Sequence, residues 1–211
     1  MSGVRKVVTR SPYRRVGFVA CPWFQSTAIE YESLLERDFL RLAVLDLDTA
    51  SIFEQPFTMD LGEFGKYTPD FLLNRRDGGF VVEVKPSIFA SNKKHGPRLQ
   101  CAARLLAEKG YRFMVVTEEH IRADKRHERA GILIRHARSR LPLQITVRVL
   151  AIASGHPAGI TISALAAASG VPESTVLHLV GRRQLRIGSS LNFDSAQLVY
   201  PIGGRDDHLH A

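Results

Sequence analysis

The sequence predicts an α/β chain: a mixed sheet flanked by helices over residues 1–140, then a small α+β domain over residues 141–211. Three observations predict this. Strand-like runs at 51–60, 67–73, 80–84 and 112–117 are separated by turn residues and by one amphipathic stretch, 97–109. A strand, a crossover helix and a further strand make part of the sheet parallel. Near Leu141-Pro142 the character changes: Arg148 is the sole basic residue until Arg182, and three helical patterns replace the strands.

Each element has its own warrant. Residues 1–27 are basic and irregular. The spacing of Tyr31, Leu34, Leu35, Phe39 and Leu42 predicts a helix over 28–43, flanked by Glu32 and Glu36. Ile52, Phe53 and Phe57 anchor the strand 51–60, where Pro56 suggests an edge or a bulge. Gln55-Pro56 is expected to shape that sheet edge. Arg75-Arg76-Asp77-Gly78-Gly79 reads as the turn of a hairpin joining 67–73 to 80–84. Leu99, Ala102, Ala103 and Leu106 share one face of the helix 97–109, and Gly110 follows its end.

In the second domain, helices are predicted at 143–154, 160–169 and 173–181, followed by strands at 184–188 and 197–201. The run from Ser163 to Val176 resembles a helix-turn-helix: small residues allow close crossing, Gly170 turns the chain, and the second helix starts near Pro172 or Glu173. The order looks winged-helix-like.

Composition bounds the function. Among 211 residues, 45% hydrophobic content is enough for a real core, yet no run approaches the roughly 18 apolar residues a membrane span needs. An apolar leader is not seen after Met1, and Cys21 and Cys101 are too few for a disulfide framework, so a cytoplasmic setting is expected. No P-loop pattern occurs, so ATP hydrolysis is not expected. A net charge of +8 and a pI of about 9.9 suit a polyanionic partner. The excess gathers in residues 1–29, which hold Arg14 and Arg15 and no acid, and in 122–140. Arg14, Arg15, Lys93 and Lys94 are candidate DNA contacts.

The chemistry lies in four residues: Glu36, Asp70, Glu83 and Lys85. Asp70 and Glu83 are thirteen apart with an Asp-Gly turn between them, so a hairpin brings them side by side at one sheet edge. Lys85 leaves the same strand face as Glu83. An acid inside Phe80-Val81-Val82-Glu83-Val84 is costly without a cation. Two carboxylates and the Val84 carbonyl make an oxygen-rich site suited to Mg²⁺, with Mn²⁺ as a substitute, and Glu36 can complete it from its helix. Such a site can activate water against a phosphodiester.

Pro69-Asp70…Glu83-x-Lys85 resembles the PD-(D/E)xK nuclease superfamily. Within it, Glu32 to Phe39, Gln55-Pro56, Tyr67 to Phe71 and Val82 to Pro86 are similar to the TnsA-like endonucleases of heteromeric transposases. The resemblance implies a restriction-endonuclease-like core. It implies that Glu36, Asp70 and Glu83 are metal-binding catalytic acids and that Lys85 is the catalytic lysine. It also implies double-stranded DNA as substrate, cut at the 5′ ends of a transposon, with an integrase-like transposase subunit and an AAA+ ATPase regulator as partners. The alternatives are a stand-alone restriction or defence nuclease and a non-catalytic DNA-binding adaptor.

Overall fold

A computed structural model describes residues 15–90 and 96–203. The chain divides into two compact units, 1–123 and 124–211.

The first unit opens with a two-stranded ribbon, β1 (Gly17–Val19) paired antiparallel with β2 (Ile29–Tyr31). Helix α1 (Leu34–Leu45) follows. The predicted helix over 28–43 therefore starts late. Ile29-Glu30-Tyr31 is taken into the ribbon, and Ser33 caps the helix by accepting the Glu36 N–H. Strand β3 (Thr49–Glu54) ends before Pro56, and β4 (Met59–Asp60) pairs instead with β5 (Lys66–Tyr67). The expected single strand 51–60 is thus split by a proline that cannot donate to a ladder. Gln55 between them takes a left-handed φ of 39°.

The central sheet runs β3-β6-β7-β8, with β6 at Phe71–Arg75, β7 at Gly78–Val84 and β8 at Arg112–Val116. Its first three strands are antiparallel, and β8 is parallel to β7. The β6–β7 hairpin closes through Arg76 and Asp77, with Gly78 at a φ of 128° that favours glycine. Short helix α2 (Ser87–Ala90) and α3 (Gly96–Glu108) make the crossover to β8, and α4 (Glu118–Ile121) leaves it.

Strand alternation puts a helix on each face. Phe71 stacks on Phe39 of α1, ring centroids 5.7 Å apart. Leu72 and its cross-strand partner Val81 turn the other way, into a core with Met59, Leu61, Tyr67, Ala102 and Leu106. Covered on both faces, β7 reads as an unbroken buried run from Val81 to Val84. This is the mixed sheet flanked by helices of a restriction-endonuclease-like fold.

The second unit contains α5 (Arg126–Ala137), α6 (Leu143–Ser154), β9 (Ile160–Thr161), α7 (Ile162–Ser169), α8 (Glu173–Gly181), β10 (Leu185–Ile187) and β11 (Leu198–Pro201). The sheet order is β10-β11-β9, antiparallel throughout. Gly170 is left-handed at φ 61°, and Val171 N–H returns to the Ala166 carbonyl, which closes α7. Sequence placed the division at 140/141; in the structure α5 falls in the second unit. Its buried Ala130, Leu133, Ile134 and Ala137 pack on α8, close enough that a Cβ on Gly181 would lie 2.9 Å from Ala137 Cβ. No helix among the described residues is long and apolar enough to cross a membrane.

Candidate active site

Hairpin register builds the site. Phe71 pairs with Val82, so the residues one step further out, Asp70 and Glu83, face each other across the strand ends. Glu83 is 8% exposed, and its two oxygens are both engaged. Oε1 accepts from Lys85 Nζ at 2.6 Å, which confirms that Glu83 and Lys85 leave one strand face. Oε2 accepts from the Tyr67 hydroxyl at 2.7 Å.

Asp70 is held by the backbone. Its Oδ2 accepts the Val84 N–H at 2.7 Å, and its carbonyl accepts the Gln55 N–H at 2.8 Å. Because the Lys85 N–H points to Val116 on β8, the Val84 N–H and carbonyl both turn toward the Asp70 side. Gln55 also reaches Glu32 with its side-chain amide, 3.3 Å from Oε1. Gln55-Pro56 thus shapes the edge, and the Asp70 end of it in particular.

Glu36 arrives from α1. Its Oε2 accepts the Glu32 N–H at 2.7 Å and its Oε1 the Ser33 hydroxyl at 2.8 Å, while Ser33 Oγ accepts the Glu36 N–H at 3.1 Å. This pairing is a variant of the capping box in which Glu36 reaches back to the Glu32 N–H and the Ser33 hydroxyl rather than to the Ser33 N–H, so the side chain assigned to the site also fixes the helix start.

The electrostatics tie the three acids together. Burial pushes the Asp70 carboxyl well above the usual carboxylate range, and the charges of Glu83 and Glu36 push it further. Burial also raises Glu36, with the charges of Glu32 and Glu83 adding to it. Tyr67 is raised by burial and by Glu83, so it stays a proton donor. Three carboxyl groups against one ammonium leave an excess of acids in a partly dry setting, which favours bound protons unless a cation balances them.

That excess and the all-oxygen donor set fit a divalent cation. Glu36, Asp70, Glu83 and the Val84 carbonyl are the residues that would hold it. Among the described residues, however, no three acidic, histidine or cysteine side chains are gathered tightly enough to hold a metal ion as they stand.

The neighbouring residues divide. Ser87, two beyond Lys85, donates its N–H and hydroxyl to Glu118, each at 2.7 Å, which pins the chain where it leaves β7. Arg15 is exposed. Arg14, Lys93 and Lys94 lie outside the described residues. Sequence reasoning missed Tyr67 as a site residue. The signal was available, since a tyrosine buried to 4% exposure needs a partner for its hydroxyl, but nothing local named that partner.

No curated protein matches the chain. The TnsA-like endonuclease N terminal family matches residues 43–118, a span that holds Tyr67, Asp70, Glu83, Val84 and Lys85 and stops short of Glu36. Over those residues the chain is similar to the TnsA-like endonuclease N-terminal domain.

Proposed function

We propose that this protein is a metal-dependent DNA endonuclease and the TnsA-like subunit of a heteromeric transposase, cutting the 5′ ends of a transposon. The observation that carries the reading is the meeting of Asp70, Glu83 and Lys85 at one end of the hairpin, inside a TnsA-like domain. Mg²⁺, or Mn²⁺ in its place, supplies water activation and charge neutralisation when bound at the acids.

The chain's own residues do the rest. Lys85 offers a compact positive charge for a phosphate oxygen or the attacking water. Tyr67 fixes the Glu83 carboxylate from the protein side, and the Val84 N–H fixes Asp70. Partners of the family type, an integrase-like transposase and an AAA+ regulator, belong to the same proposal. A winged-helix-like reading of the second unit is supported by its order of helix, strand, two helices and hairpin.

The test is nicking of supercoiled plasmid with Mg²⁺ or Mn²⁺, comparing wild type with Asp70→Ala, with and without the transposase partner. Nicking that needs the metal, Asp70 and the partner is expected. Nicking without the partner would favour a stand-alone nuclease. No cutting under any condition would leave the adaptor reading in its place.

A further inference from the structure

We propose that the second unit grips duplex DNA by its phosphates at the C-terminal end of α5, through Arg135, Arg138 and Arg140, and that α8 reads no bases. The proposal rests on DNA as the substrate.

A helix that reads bases must present side chains to the major groove. Helix α8 has none to present over most of its length, because every residue from Thr175 to Gly181 is buried. Helix α5 packs against it, with Ala130, Leu133, Ile134 and Ala137 in the contact layer. At its N-terminal end Glu173 accepts the Ser195 hydroxyl at 3.0 Å, which leaves Ser174 as the exposed polar residue of α8.

The charge lies at and just beyond the C-terminal end of the helix that covers it. Arg135, Arg138 and Arg140 are all exposed and fall within six residues of chain. None of the three is paired with a carboxylate of a described residue. From residue 129 to 172 the sequence holds no Asp or Glu. The acids of this helix region, Asp124 and Glu128, lie at its other end, and Glu128 is about 15 Å along the axis from Arg138 at 1.5 Å per residue.

These arginines are not needed to finish the helix. Arg182 already does so, donating from Nε to the Ala137 carbonyl at 2.7 Å and from Nη2 to the Ser139 carbonyl at 3.2 Å. Three exposed guanidiniums at one helix end, without a carboxylate partner among the described residues, match a phosphate backbone, and contacts of that kind position a protein without reading sequence.

The experiment uses the full chain with Asp70→Asn in EDTA, so that binding is measured apart from cutting. Anisotropy of labelled duplexes of unrelated sequence is followed against salt. Replacing Arg135, Arg138 and Arg140 together by Gln is expected to weaken binding to every duplex alike and to lower the log–log salt slope by about 2.7, from ~0.9 per phosphate contact. The corresponding triple Lys variant is expected to restore the slope, which shows that charge and not folding is being read. Ser174→Ala is expected to change nothing. Unchanged affinity and slope in the Gln variant, failure of Lys to restore them, or a sequence preference that moves with Ser174 would overturn the proposal. Nicking by the wild type is scored separately, so either reading can fail without the other.

Discussion

Asp70 is a carboxylate whose surroundings favour its proton. Burial and the charges of Glu83 and Glu36 raise it, while the Val84 N–H holds one oxygen in place. A group raised in the folded state contributes stability that is whole below its ordinary value, 3.8, and is lost as pH climbs through the raised one. At neutral pH without divalent cations, Asp70→Asn is therefore expected to be no less stable than wild type in urea, since its amide oxygen can still accept the Val84 N–H. Nicking by the same variant should fall by more than the roughly 10–100-fold that losing an outer-shell partner costs. A clear loss of stability would instead assign Asp70 a structural role. Tyr67→Phe removes one atom from Glu83's surroundings. It should cost about 1–3 kcal/mol in denaturation, because Glu83 keeps its burial and loses a donor. In isothermal titration it should also weaken Mn²⁺ binding by about 10–100-fold.

At the scale of elements, close helix crossing is what a glycine allows. Gly181 lets α8 approach the backbone of α5 at Leu133, and an added Cβ has no room to move because its neighbours are backbone and the short Ala137 side chain. Gly181→Ala is expected to destabilise the second unit by about 1–3 kcal/mol through overpacking. Circular dichroism melts and hydrogen exchange on α5 and α8 check this. The hairpin teaches the complementary lesson. The pairing of Asp70 with Glu83 was legible because a tight turn fixes register locally, although the loop is Arg76-Asp77 and Gly78 of the expected Asp-Gly turn already belongs to β7. The contact of Tyr67 with Glu83 was not legible, because it depends on how the separate β4–β5 arm folds over the sheet. The bonds of Glu36 to Ser33 and Glu32 were not legible, since Ser33 was read as interior to a longer helix.

For the whole molecule, pH acts through a buried histidine as well as through the acids. His178 is buried in α8, and its Nδ1 lies 3.0 Å from the His136 carbonyl and 3.0 Å from Ser139 Oγ. Burial lowers its affinity for a proton, and Arg182 adds to that. A histidine lowered in the folded state contributes stability that is present above its ordinary value, 6.5, and lost as pH falls. The contribution of His178 should therefore lower the urea midpoint between neutral pH and about pH 5.5, the range in which histidine titrates. The drop should be smaller in His178→Gln, and an equal drop in both proteins would refute the assignment.

The sequence by itself determined the fold class, the presence of four central strands though not the bounds of the first two, and the convergence of Asp70, Glu83 and Lys85. These follow from short-range rules: side-chain alternation along a strand, a tight turn, and a crossover helix. It also determined the basic balance of the chain, since charge is a sum over residues. Tertiary structure decided what depends on packing between distant segments. It set the Tyr67 hydroxyl on Glu83, and it joined the 126–137 helix, basic at both ends, to the second unit. It also buried the helix that resembled a DNA reader. Hydrophobic burial is non-directional, so a pattern of apolar residues states that a face must be covered without naming the segment that covers it.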